Sequence, residues 1–493
     1  MTFEQYYQSL GLAKYPFSVY TSEAESDFFN AIYLKPQNHS IILEGLKNTS
    51  SIIIGERGTG KTALSIDFVE ILSTPKNLLV RIEEFSSLEL EYDQNKLYKF
   101  FLERLVSEFF NYHADKPSSL WRYSKEDRID LSMFLHEYLG ASTRELLKDK
   151  VSKIQNGLIK RVSLGAYNTF RSILNYGLKA TTKVISDTIT QHFSSLPPFE
   201  GTSAEYFQRL NIETDTSFEA NQHQYFYLER FCRLIRKSGF SKIYIFIDKI
   251  DEDPRFHNDA EDISAFMSPI ASDNKLLTSS LFHTVLFVWS TPFNYIKDRV
   301  RTQKLCLTSL SWDRNELEKV LDKRLLSYSS PRVDTPIKIF DNCSIDRVDL
   351  IFNMCNRNPR DLWHILNKSF EEQFKINPNS SPTDQAIDAA IRRFVVEFNY
   401  YEYYPRKSNA KANSMDIYRY IKHLQKLDNP KFTKDKLNVV AGTGSSTSNY
   451  VVSMENMGLI KRISEKAQGG AVIYEIADPK VCFAMLNNIE VAA

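Results

Sequence analysis

The chain has little cysteine, little glycine and almost no net charge, and each shortage removes a class of explanation. Its five cysteines, Cys232, Cys306, Cys343, Cys355 and Cys482, are odd in number, far apart and never in a C-x-x-C pair. That spacing argues against a disulfide framework and a zinc site, and reads them as reduced core residues. A formal charge of +1, from 62 basic against 61 acidic residues, gives the molecule no overall attraction for a polyanion. Contact with nucleic acid would have to come from a local patch. No apolar run approaches the length that spans a bilayer, and Met1-Thr2-Phe3-Glu4-Gln5 has neither a basic start nor an apolar stretch behind it. The expectation is a cytoplasmic protein without a membrane span. At 493 residues the chain exceeds one core, and about two to four domains are expected.

With only 16 glycines in the chain, Gly55-Glu56-Arg57-Gly58-Thr59-Gly60-Lys61-Thr62 stands out, because it fits G-x-x-x-x-G-K-[ST] at every fixed position. Ser51-Ile52-Ile53-Ile54 before it suits a buried parallel strand. After it, Leu64, Phe68, Ile71 and Leu72 fall at helical spacing. A chance match in a loop is the competing reading, and both flanks argue against it. Glycines let the backbone curl so that N–H groups from Gly55 through Ala63 point inward at phosphate oxygens, where a helix N-terminus adds partial positive charge. Lys61 would reach the β- and γ-phosphates of a nucleotide, and the Thr62 hydroxyl would bind Mg²⁺.

Residues 78–82 read as a second buried strand, and the next strong one, Ile243-Tyr244-Ile245-Phe246-Ile247, comes about 160 residues later. Most of that interval, about 88–225, is therefore read as a mainly helical insertion. It opens with an amphipathic stretch carrying Phe101, Leu102, Leu105, Val106 and Phe109. The late strand ends in Asp248-Lys249-Ile250-Asp251-Glu252, so Asp248 is the candidate carboxylate that shares Mg²⁺ with Thr62. This predicts that the strand ending in Asp248 lies beside the strand preceding the loop. A further apolar run, residues 283–289, closes on Ser290-Thr291-Pro292. Thr291 either orients the attacking water or merely caps the strand. Leu305-Cys306-Leu307 supplies a fifth strand, and Asp313 caps a helix bearing Leu317, Val320, Leu321, Leu325 and Leu326.

Two regions offer themselves to partners. Residues 144–183 carry nine lysines and arginines against Glu145 and Asp149, interleaved with apolar residues. A solvated helical face, a phosphate-backbone contact and a docking surface are all open readings. Residues 1–45 form an N-terminal arm around Tyr15-Pro16-Phe17, read either as one wall of a base pocket or as a packing arm.

Taken together, the P-loop, the long interval, the hhhhD-x-h-D-E strand, the strand ending in Ser290-Thr291, the helix after Trp312 and Asn356-Arg357-Asn358-Pro359-Arg360-Asp361-Leu362 resemble AAA+ and STAND-type ATPases related to replication-origin initiators. More narrowly the chain is similar to bacterial P-loop ATPases found near phage-defence genes. The resemblance implies ATP and Mg²⁺ as ligands. It also implies that Asn358-Pro359 opens a lid helix whose Arg360 reaches the γ-phosphate as a second sensor; a plain surface arginine is the alternative. One position departs from the pattern: relatives carry an acid directly after the Mg²⁺ aspartate, and here Lys249 stands there. Asp251 or Glu252 is left as the general base, and slow turnover becomes a live reading. If subunits of a homo-oligomer share sites, an arginine finger would come from among Arg299, Arg301, Arg314 and Arg324. No N-K-x-D guanine motif is present, since Asn367-Lys368 is followed by Ser369-Phe370.

Beyond a tyrosine-, lysine- and asparagine-rich linker at 400–413, three helical stretches and a hairpin around Gly469-Gly470 suggest a winged helix. From Arg406 onward bases outnumber acids thirteen to eight, yet the second helix of the helix-turn-helix has no arginine or lysine. DNA and a partner protein are both open as its target. The expected architecture is therefore α/β: a P-loop core over 46–330, a helical lid over 331–400 and a winged helix over 410–493. The expected function is a Mg²⁺-dependent ATPase switch that engages DNA or a partner protein, in antiphage defence by resemblance. The alternative is a nucleotide-stabilised scaffold that recruits an effector protein with little hydrolysis.

Overall fold

Five parallel strands form the centre of the molecule, in a computed structural model that describes residues 1–114, 223–329, 338–406, 415–467 and 469–491, with isolated positions between 123 and 138. The strands are β1 Ser51–Gly55, β2 Asn77–Ile82, β3 Lys242–Ile247, β4 His283–Trp289 and β5 Cys306–Leu310, in the order β2-β3-β4-β1-β5. Side chains alternate between two faces, and on the central strands β3 and β4 both faces are buried, which is why those two read as apolar runs. On β3, Ile243, Ile245 and Ile247 enter one core, and Tyr244 and Phe246 enter the other. Helices Gln94–Ala114, His223–Lys237 and Ala260–Ala271 cover the first face, and His39–Asn48 and Lys61–Leu72 cover the second. Three layers result, and the P-loop joins β1 to Lys61–Leu72.

The strand order corrects one expectation. β1 pairs with β4 and β5, and β3 pairs with β2 and β4, so β4 lies between the loop strand and the strand ending in Asp248. The separation is bridged by side chains: Arg57 of the loop bonds Asp251 of the turn after β3. Leu97, Phe101, Leu105 and Phe109 of Gln94–Ala114 pack with Phe231 and Ile235 of His223–Lys237 directly on this sheet. Both ends of the expected insertion therefore belong to a layer of the core. The basic stretch at 144–183 lies outside the described residues.

A second body is built from chain segments far apart in sequence. Helices Ile345–Met354, Pro359–Ile376 and Asp384–Glu397 share one apolar core with Tyr6, Leu12 and Phe17 of the N-terminal arm and with the last hundred residues. Phe3 meets Phe374 edge-on at 5.4 Å, Phe17 meets Phe370 at 5.3 Å, and the Tyr15 hydroxyl donates to Asn367 Oδ1 at 2.8 Å. Toward the end come Ile417–Leu424, β6 Lys431–Thr433, Lys434–Ala441, Thr447–Asn456, β7 Ile460–Lys466, β8 Val472–Ile476 and Pro479–Leu486. The strands form an antiparallel sheet, β6-β8-β7, with Phe432 opposite Tyr474. Three helices, this small sheet and a final helix make up the end of the chain. Its short β6 and that final helix were not read from the sequence.

Candidate functional site

The loop between β1 and Lys61–Leu72 turns through Gly58 and Gly60, at φ of +81° and +87°, a backbone region that glycine enters without strain. Lys61 is buried, and its Nζ donates to the carbonyl oxygens of Gly55 at 3.1 Å and Glu56 at 3.0 Å. Burial pulls its pKa down, against the nearby carboxylates of Asp251, Asp248 and Glu56. Asp248 is buried opposite: its Oδ1 accepts from the Lys249 N–H at 2.9 Å, and its Oδ2 has no partner among the described residues. Burial pushes the Asp248 carboxyl up to about 6, opposed by the charge of Lys61 and the Thr62 hydroxyl. An unsatisfied buried carboxylate oxygen beside a buried ammonium is a costly arrangement that a bound group would relieve.

These residues open on a cavity of about 480 Å³ whose wall includes Gly58 through Ala63, Asp248, Asp251, Glu252 and Arg360. That volume suits a nucleotide-sized ligand. Phe29, Ile32, Leu34, Pro36, Val320 and Trp363 line another part of it, so the lining combines polar and apolar stretches. Tyr20, Glu23 and Glu25 bring the N-terminal arm into the wall. The residues present therefore fit a nucleotide triphosphate with a divalent ion, with polar groups for the phosphates and apolar side chains for the base. Among the described residues no three His, Cys, Asp or Glu side chains form a metal site by themselves, and no helix is long and apolar enough to cross a membrane.

The two acids that the sequence leaves equivalent are separated by their partners. Asp251 accepts from Arg57 Nε at 2.7 Å, while Arg57 Nη2 donates to the Asp251 carbonyl at 2.5 Å. Burial opposes its ionisation, but Lys61 and Arg57 outweigh it and hold the carboxyl below its usual value. Glu252 has no such cation bonded to it, and burial together with the charge of Asp251 raises its pKa. Lys249, in the left-handed region at φ of +63°, pairs with Glu23 at 2.7 Å and Glu83 at 3.5 Å, outside this chemistry.

Thr291 is buried in Ser290–Ile296 and does not line the cavity, and neither does Glu56. The hydroxyl that reaches the loop is that of Ser290, which bonds Glu56 Oε1, while Trp289 Nε1 donates to Glu56 Oε2 at 3.0 Å. Asn358 caps Pro359–Ile376, and its Nδ2 donates to the Arg57 carbonyl at 2.6 Å, which sets the first turn of that helix on the loop. Arg360, in that turn, has no ion-pair partner among the described residues. Trp312 Nε1 donates to the Thr59 carbonyl at 2.8 Å. Of the four arginines considered as a finger, Arg324 is buried on Glu25 and the Pro16 carbonyl, and Arg314 pairs with Asp349 and with Glu318 at 2.9 Å. Sequence reading missed Glu402, whose carbonyl accepts from Arg57 at 3.1 Å; the only signal was the density of tyrosine around it.

In the last hundred residues several cations are paired with acids. Lys431 pairs with Glu465 at 3.3 Å, Lys436 with Asp428 at 3.1 Å, Lys461 with Glu475 at 3.0 Å and Arg462 with Glu455 at 2.6 Å. Those pairs offset part of the positive charge that this end of the chain could offer a phosphate backbone.

Sheet order, loop and lid define the class: an α/β protein of the P-loop type. Two solved structures are similar to the chain. The Orc1 protein of Aeropyrum pernix in complex with DNA is 11% identical, with 93% of this chain and 94% of that chain covered and a TM-score of 0.32. The Walker-type ATPase PABY2304 of Pyrococcus abyssi is 12% identical, with 92% and 96% covered and a TM-score of 0.41. No protein-family model matches the chain, and no curated protein matches it in sequence. The reading of the site therefore rests on the residues above.

Proposed function

We infer that the chain binds ATP with Mg²⁺ in this cavity and hydrolyses it as a switch that controls how the C-terminal unit engages DNA or a protein partner. The observation that carries this reading is the buried Asp248, its Oδ2 without a partner among the described residues, in the same cavity wall as buried Lys61, whose charge acts on it. Loop amides from Gly55 to Ala63 and Lys61 would hold the phosphates, and Thr62 with Asp248 would hold the ion. When bound, Mg²⁺ neutralises phosphate charge and polarises the bond that breaks. Glu252 takes the role of general base, because its raised pKa and its lack of a bonded cation leave it able to accept a proton from water, whereas Asp251 is engaged by Arg57. Arg360, free of a carboxylate partner, supplies positive charge from the lid.

A second reading, a nucleotide-stabilised scaffold that recruits an effector protein, is favoured at one point. A helix Thr447–Asn456 without arginine or lysine suits a protein surface better than a DNA backbone. A role in antiphage defence rests on the resemblance to ATPases near phage-defence genes. Titration calorimetry of the wild type and Lys61→Ala with ATP and Mg²⁺ tests the site. Loss of binding in the variant is expected, and unchanged affinity would refute it. Binding to a duplex in low and moderate salt then separates DNA from protein as the target.

A further inference from the structure

On the side of the lid helix away from the cavity lies a cluster of charges that nucleotide binding leaves unused. Asp361 and Lys480 are each 1% exposed and Asp478 is 2% exposed. Lys480 Nζ lies 3.3 Å from Asp361 Oδ2 and 3.5 Å from Asp478 Oδ1, with the Phe398 ring centroid 4.4 Å away. The Tyr403 hydroxyl donates to Asp361 Oδ1 at 2.5 Å, and the Tyr404 hydroxyl donates to Asp478 Oδ2 at 2.8 Å. Apolar residues of similar volume would often serve stability as well or better, so a buried ionic cluster asks for a reason in geometry.

The geometry is a continuous path to the P-loop. Asn358 Nδ2 donates to the Arg57 carbonyl and, at 2.9 Å, to the Tyr403 hydroxyl. Tyr403 passes to Asp361, and Asp361 to Lys480 in Pro479–Leu486. Arg360 and Asp361 occupy the same first turn, capped by Asn358 Oδ1 accepting from the Arg360 N–H at 3.0 Å. Gly58 is so close to that turn that a Cβ there would meet Asn358 Oδ1 at 2.6 Å and Arg360 Cβ at 2.9 Å. Whatever shifts the loop must shift the turn, and the turn is fastened to the last helix.

We propose that Lys480 is a positioning residue for the nucleotide site: it fixes Asp361, and through the Asn358–Tyr403–Asp361–Lys480 chain the occupancy of the P-loop is transmitted to Pro479–Leu486. This rests on the reading that ATP occupies the loop. The mild variant is Tyr403→Phe, which removes one hydroxyl and keeps the ring. It weakens ATP binding about tenfold, and combining it with Asn358→Ala costs no more than the larger single effect, the non-additivity of one path. Tyr401→Phe, whose hydroxyl bonds Asp416 at 2.8 Å off this path, leaves affinity unchanged.

Hydrogen exchange on the full chain supplies the readout that a merely structural cluster would not move. ATP slows exchange in residues 479–486 of the wild type and not in Tyr403→Phe or Lys480→Met. Wild-type affinity in Tyr403→Phe, or exchange at 479–486 that ignores ATP in the wild type, overturns the proposal. Absence of ATP binding by the wild type overturns the nucleotide reading and this inference with it.

Discussion

Arg57 and Asp251 form an ion pair of 2.7 Å across the cavity wall, one from the loop after β1 and the other from the turn after β3, 194 positions later. The guanidinium also lies 4.2 Å from the Trp289 ring centroid and bonds Asn258 Oδ1. A variable position of the P-loop motif thus ties the loop to the acid-bearing turn across the intervening β4. Arg57→Ala should lower stability by on the order of 3 kcal/mol, because it strands a buried carboxylate. The Arg57→Ala/Asp251→Ala pair should cost less than the sum of its singles. Urea unfolding of the four proteins checks both statements.

Glu252→Gln should reduce ATP turnover by about a hundredfold or more while ATP affinity stays near wild type, since it removes a proton acceptor and keeps the shape. Asp251→Asn should act mainly on stability. Turnover and affinity measured side by side decide which acid is the base.

Gly58→Ala tests the contact between loop and lid. The added methyl meets Asn358 and Arg360 at a backbone φ of +81°, so a cost of about 1–3 kcal/mol is expected. ATP affinity should fall at least about tenfold, because the lid turn must back away from the loop. Calorimetry and thermal unfolding check it.

Asp248 makes the ATP-free protein pH-sensitive. Its carboxyl is raised from an ordinary 3.8 to about 6 by burial. Below about pH 4 both folded and unfolded chains hold the proton, and the group contributes nothing. Between about 4 and 6 only the folded chain keeps it, so stability falls as pH rises. Above about 6 the penalty is complete, on the order of 3 kcal/mol. Asp248→Asn removes it, so the gap in melting temperature between variant and wild type should widen from about pH 4 to 6 and then level off. A gap independent of pH would contradict this.

The sheet was legible because its central strands β3 and β4 are buried on both faces, which leaves runs such as Ile243-Tyr244-Ile245-Phe246-Ile247 with no polar interruption. The cap at Asp313 was legible because a short polar side chain there bonds an amide three residues on. Strand order was not, since an apolar run carries no mark of its neighbour, and β4 entered between β1 and β3. Asp251 and Glu252 look alike in sequence, and what distinguishes them is an arginine from another part of the chain. The stretch 400–413 read as a linker by composition, but its described part, 400–406, is held by Tyr403 and Tyr404, whose hydroxyl partners lie 42 and 74 positions away. Thr291 could be read from its place after a strand either as orienting the attacking water or as closing that strand; the chain enters a helix at Ser290 and buries it.

The interlock of the first twenty residues with Pro359–Ile376 has a consequence for biosynthesis. Tyr15 finds its hydrogen-bond partner Asn367 352 positions downstream. A ribosome adding residues in order would release Phe3, Tyr6 and Phe17 long before their aromatic partners exist. This leading segment, which can cluster its own rings in the meantime, must wait through most of translation for the helix it finally packs against.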